Sequence, residues 1–192
     1  MPAAAGEKAG NKMEIATFAG GCFWCMEPPF ENTPGVTSVA AGYTGGKKPN
    51  PSYEEVSSGA TGHVEAVRVS YDPQKVTYEK ILDVFWRNID PTDEGGQFAD
   101  SGSQYRPVIF YHTPEQKRLA EESKKRLQES GHFKKPIVVK VEPASGFYPA
   151  EDYHQDYYKK NPLRYKLYKK GSGREDFINR TWGKEIKDIP VK

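Results

Sequence analysis

HVEAVRVSYD, residues 63–72, decides the fold of this chain. Its alternation reads as a strand: His63, Glu65, Val67, Val69 and Tyr71 share one face, Val64, Ala66, Arg68 and Ser70 the other, and Asp72-Pro73 closes the run. Upstream, GVTSVAAGYT (residues 35–44) reads as another strand. Residues 45–62 join the two as a loop rich in Gly, Pro, Asn and Ser. Two successive strands with no helix between them argue against a doubly wound parallel sheet, whose strands need crossovers. The expected class is therefore α+β, a two-layer αβ sandwich around a mixed β-sheet.

The flanking segments extend that order to β, α, β, β, α, β, α, β. MEIATF (residues 13–18) is a strand that runs into the Gly20-Gly21 turn, and a helix starts at Cys22. Tyr78, Ile81, Leu82, Phe85, Trp86 and Ile89 recur at helical spacing, so that face packs on the core. A loop of about 15 residues follows, long enough to suggest function, and then a strand over 105–112. Thr113, Pro114 and Gln116 form an N-cap, an N1 proline and a capping-box partner for an outer helix that Gly131 closes. PIVVKVEPA (residues 136–144) is a strand, and the Tyr-rich, Pro-punctuated remainder is expected to wrap the body as short helices and irregular coil, a long irregular C-terminal wrap. The organisation expected is a disordered extension over 1–12 and one domain over 13–192.

Composition excludes several classes. The net charge of +2 arises from 28 basic and 26 acidic residues that are interspersed, unlike the one-sided footprint of a nucleic-acid binder. No apolar run approaches 18 residues, and MPAAAGEKAGNK lacks a secretory signal, so neither a membrane span nor export is expected and the default location is the cytoplasm.

The chain has 2 cysteines, in GGCFWCMEPPFE (residues 20–31). Two cysteines three apart cannot staple a fold, which leaves redox chemistry, a metal site or two inert core residues. A zinc site would need histidines to complete it, yet His63, His112, His132 and His154 show no paired spacing. At a helix N-terminus the Cys22 thiolate is favoured and its pKa expected to fall, making Cys22 a nucleophile. Cys25, one turn on, would have its Cβ about 5 to 6 Å away in an ideal helix, close to disulfide range. Pro28 and Pro29 remove helix bonds to the carbonyls of Trp24 and Cys25, so distortion is expected there. Glu65 shares the apolar face of its strand; desolvated, it would hold a proton near neutral pH, whereas at a sheet edge its head would lie in water.

GCFWCME, GYTGG, YEEVSSGATGHVEAVRVSYDP, GGQFADSGSQYRPVIFY and YHQDYY, in this order, resemble the peptide methionine sulfoxide reductases of the A type. The resemblance spans Phe18 to about Gly183. It implies that Cys22 attacks the sulfoxide sulfur, that Phe23 and Trp24 wall the pocket for the methyl group, and that Glu65 is the acid. It further implies that Tyr53 and Tyr105 hydrogen-bond the departing oxygen, that Asp100 lines the pocket, and that His154 and Asp156 support it. With no distal cysteine, Cys25 would resolve the Cys22 sulfenic acid to a disulfide reduced by thioredoxin. Substrates would be oxidised proteins and free methionine sulfoxide. The chain would act as a monomer, without organic cofactor or metal. The alternatives are a general thiol–disulfide oxidoreductase, against which stands the missing βαβ pattern, and a non-catalytic binder of oxidised peptides, against which stand the paired thiols.

Overall fold

The structure, a computed structural model, describes residues 12–183 and 185. Apart from Lys12, the expected extension over 1–12 lies outside the described residues. In chain order the main elements are β1 (Glu14–Ala19), α1 (Phe23–Glu31), β2 (Val36–Thr44), α2 (Tyr53–Ser57), β3 (Val64–Tyr71) and α3 (Tyr78–Arg87). A two-residue hairpin, β4 (Gly96–Gln97) and β5 (Asp100–Ser101), and a 3₁₀ turn (Ser103–Tyr105) lead to β6 (Val108–Tyr111). Then come α4 (Pro114–Glu129), β7 (Lys140–Pro143), β8 (Tyr148–Pro149), α5 (Tyr157–Lys160), α6 (Pro162–Gly171) and α7 (Arg174–Trp182).

The main sheet is six-stranded, ordered β7-β6-β1-β3-β2-β8, with β6 and β7 parallel and the other pairs antiparallel. This is the α+β class with a mixed sheet that the order of elements implied. β3 is central, paired with β1 (Phe18↔Val67) and β2 (Tyr43↔Glu65), so Glu65 does not sit at an edge. One sheet face carries Phe18, Val67, Val69, Tyr71 and Ile109 into the core, against Phe30 of α1, Ile81, Leu82 and Phe85 of α3, and Leu127 of α4. Phe18 stacks on Phe30 at 5.2 Å and on Phe85 at 5.0 Å. The other face gathers Ala19, Val64, Ala66, Val108 and Phe110 under Phe147, which Arg68 covers at 4.7 Å.

Four expected features differ, each for a local reason. The strands over 105–112 and 136–144 shorten to Val108–Tyr111 and Lys140–Pro143. Pro107 and Pro136 have no N–H for a ladder, and Val138 N donates instead to Pro91 O (2.9 Å). Tyr105 therefore lies in the 3₁₀ turn before the strand, not at its start. The loop over 45–62 contains α2, whose Ser52 and Glu55 form a reciprocal capping box. On α4, Thr113 does cap Gln116 N, but the Gln116 amide accepts from His112 N and donates to Ile15 O, tying the helix to β1 rather than completing a box. No helix among the described residues is long and apolar enough to cross a membrane.

Candidate active site

β1 delivers the chain to the turn that carries the cysteines. Gly21 has φ +85°, and a Cβ there would lie 2.6 Å from Gln97 Cβ and 2.8 Å from Arg174 Nη2. Both the left-handed backbone and the close approach require glycine. Gly21→Ala is accordingly expected to destabilise the fold by about 2 to 4 kcal/mol, as strain and clash add; equal urea midpoints for variant and parent would contradict it.

Cys22 is the N-cap of α1, with φ −55° and ψ 122°. Cys25 N donates to Cys22 O at 3.1 Å, so the two cysteines share one tight i→i+3 turn, the geometry that brings side chains three apart nearly into line. α1 remains helical through Pro28 and Pro29 to Glu31, with Asn32 N donating to Pro28 O at 3.0 Å, so the expected distortion does not end it. Both thiols are free and buried.

Glu65 reaches this turn from β3: Phe23 N, a free N–H of the first helical turn, donates to Glu65 Oε2 at 3.1 Å. Glu65 is 2% exposed. Burial pushes its carboxyl up to about 8, against the pull of the Phe23 N–H and with a further push from Asp100. It is thus largely protonated at neutral pH. The Cys22 thiol moves opposite to the sequence-based expectation: burial first, then the Glu65 carboxylate, raise it well above its ordinary value, and only the Tyr168 hydroxyl opposes them. The helix N-terminus does not outweigh desolvation here.

Tyr53, at the start of α2, and Tyr105 both lie within the electrostatic reach of Glu65 and Cys22, and burial raises both phenols, keeping them protonated. Asp100 on β5 is raised by burial and accepts from the Tyr168 hydroxyl. Trp24 Nε1 donates to His154 Nδ1 at 3.1 Å, which requires that nitrogen to be unprotonated; burial lowers His154 accordingly. The His154 ring also meets Tyr53 at 4.4 Å and Phe23 at 5.0 Å. Asp156 is placed differently: its carboxylate pairs with Lys159 on the surface, and its N–H donates to Glu27 Oε1.

The C-terminal wrap supplies groups that the sequence did not single out. Tyr157 stacks on Trp24 at 3.7 Å and 7° while Tyr168 meets it edge-on at 5.8 Å, so the indole is held on three sides. Glu151 accepts from Tyr53 N (2.9 Å) and from Tyr43 Oη (2.7 Å), fixing the start of α2. Tyr157 lies inside the quoted YHQDYY; Tyr168 and Glu151 are one of 12 tyrosines and one acid among many, without a local signal. Among the described residues, no group of three or more His, Cys, Asp or Glu is arranged to hold a metal ion.

A buried thiol set beside a protonated carboxylic acid, with phenols and an indole around them, defines a thiol-dependent oxidoreductase. The family model for peptide methionine sulfoxide reductase matches residues 14–186. The chain is 60% identical over 173 residues to the peptide methionine sulfoxide reductase MsrA of Bacillus subtilis, covering 90% of this chain and 98% of that one. It is 58% identical over 175 residues to the MsrA of Bacillus licheniformis, covering 91% and 97%. Reduced Mxr1 of Saccharomyces cerevisiae superposes with a TM-score of 0.75 at 32% identity, covering 82% of this chain and 90% of that one. The chain belongs to the peptide methionine sulfoxide reductase family, A type. It is an oxidoreductase that reduces methionine sulfoxide by thiol chemistry.

Proposed function

We propose that Cys22 attacks the sulfur of a methionine S-sulfoxide, peptide-bound or free, while Glu65 protonates the sulfoxide oxygen. The observation that carries this reading is the pairing of Glu65, held protonated by burial, with Cys22 across the first turn of α1. Sulfoxide oxygen is a poor leaving group until it is protonated, and the Tyr53 and Tyr105 phenols can hydrogen-bond it as charge develops. Phe23 and Trp24 wall the methyl pocket, His154 orients Trp24, and Asp100 with Tyr168 steadies the thiol. Oxygen passes to Cys22 as a sulfenic acid and methionine departs.

Cys25 then displaces hydroxide from the Cys22 sulfur; the S–S bond forms, the S–O bond breaks, and with the Cys25 proton the hydroxide leaves as water. An external dithiol returns both cysteines to thiols. Thioredoxin suits that role, as the solved complex of yeast Mxr1 with Trx2 illustrates for that protein. The described residues work as a single catalytic domain, for which we propose action as a monomer in the cytoplasm.

Mass spectrometry after one equivalent of methionine sulfoxide tests this directly: a loss of two hydrogens mapped to Cys22 and Cys25 is expected. Cys25→Ser is expected to complete one turnover and then fall at least about tenfold in thioredoxin-driven cycling, since the sulfenic acid has no partner. Unimpaired cycling would mean that thioredoxin reduces the sulfenic acid itself.

A further inference from the structure

Arg174, the first residue of α7, is 1% exposed. Its Nη2 donates to Gly20 O at 3.0 Å and its Nη1 to Asn88 O at 2.5 Å; Nη1 also lies 3.6 Å from Met26 Sδ, and Cζ stands 4.7 Å over the Phe98 ring. Among the described residues, no carboxylate lies within ion-pair distance of it. A fully buried cation is costly unless hydrogen bonds and a nearby anion offset it; Asp100, whose carboxyl the guanidinium pulls down, lies within its electrostatic reach. Two of its contacts bracket the cysteines: Gly20 stands two residues before Cys22, and Met26 follows Cys25. The guanidinium therefore backs the turn on which the disulfide must form, anchored from a helix about 150 residues away in sequence.

We propose that Arg174 is a positioning residue of the resolving step: it pins the Gly20–Met26 turn from behind and supplies the buried positive charge against which Cys25 becomes a thiolate and attacks the Cys22 sulfenic acid. This rests on Cys25 as the resolving thiol. The groups that face Cys25 divide by sign. Arg174 and Lys169 favour its thiolate, Asp100 and Glu65 oppose it, and Cys22 with the Tyr165 and Tyr168 hydroxyls interacts with it. Burial is the largest influence and keeps the thiol above its ordinary value, and Arg174 is the largest of the charges that pull against it.

The test follows the two half-reactions separately in the full chain: trapping of the sulfenic acid, and quenched-flow loss of free thiol after one equivalent of methionine sulfoxide, each across pH. Arg174→Met is expected to move the midpoint of disulfide formation to higher pH, by about 1 on the pH scale, slowing it about tenfold at pH 7, and to slow sulfenic acid formation less. Arg174→Lys keeps the charge and is expected to restore the midpoint. An unmoved midpoint in Arg174→Met, or an equal displacement in Arg174→Lys, overturns the inference. If Arg174→Met does not fold, Lys169→Ala decides: partly exposed Lys169 should move the midpoint by no more than about 0.3 in pH, and a tenfold slowing at pH 7 in that variant would transfer the role to it. Unimpaired thioredoxin cycling in Cys25→Ser would remove the resolving thiol itself; a disulfide that forms through Cys25 with an unmoved pH profile removes only the role of Arg174.

Discussion

Cys22→Ser is expected to lose sulfoxide reduction entirely, by roughly 10⁴-fold or more, the scale on which a nucleophile acting as part of a unit fails. A serine hydroxyl is far harder to ionise than a thiol, and its oxygen cannot be raised to anything equivalent to a sulfenic acid, so both attack and oxygen acceptance are lost. The substitution should leave the fold in place. Cys22 is 6% exposed, the hydroxyl is smaller than the thiol, and neither the Cys25 N to Cys22 O bond nor the Phe23 N to Glu65 bond passes through the side chain. The check is a dithiothreitol-driven assay of methionine sulfoxide reduction beside a melting curve. Measurable turnover with an unchanged melting temperature would remove Cys22 from the centre of the reaction.

Much of this site was legible because its parts lie in short local patterns. The alternation of HVEAVRVSY placed Glu65 on the same face as Val67 and Val69, and Gly20-Gly21 placed Cys22 at a helix start; both placements hold. The consequences of burial were not legible. That Glu65 is interior follows from pairing on both sides of β3, with β1 about 50 residues before it, and alternation says nothing about neighbouring strands. The raised Cys22 thiol has the same origin: burial in the folded chain outweighs the helix N-terminus, and no local pattern tells of that burial.

Arg174 shows the limit most clearly. It lies in the C-terminal remainder, where no local pattern singles it out, and only the folded chain reveals that its side chain turns inward to Gly20. Tyr105 erred in the other direction: YRPVIFY reads as one strand until Pro107 is charged with its missing N–H, which leaves the tyrosine on a 3₁₀ turn facing the site.

Glu65→Gln should slow sulfenic acid formation by about 10² to 10⁴-fold, the range for loss of a positioned general acid. Glutamine keeps the shape, and its carbonyl can still accept from Phe23 N, so the loss would report the proton. The pH profile separates this from mere positioning. In the parent, thiolate formation at Cys22 raises the rate and ionisation of Glu65 lowers it, so single-turnover rates should be bell-shaped, with apparent pKa values that belong to the pair. In Glu65→Gln the falling limb should vanish. The rising limb should move to higher pH, because in the parent it follows Glu65, which loses its proton before the buried Cys22 thiol does, and in the variant it follows that raised thiol alone.

Stability gives a second, independent reading of the same proton. The folded-state value of Glu65, about 8, lies above its ordinary 4.5, so the folded form holds the proton more tightly. Its contribution is fully present below about pH 4.5 and is lost as pH rises through about 8. Glutamine has no such dependence. Relative to the parent, Glu65→Gln should therefore gain about 2 to 4 kcal/mol between pH 5 and pH 9. Parallel denaturation curves across that range would show that Glu65 is already ionised at neutral pH, and it could not then serve as the acid.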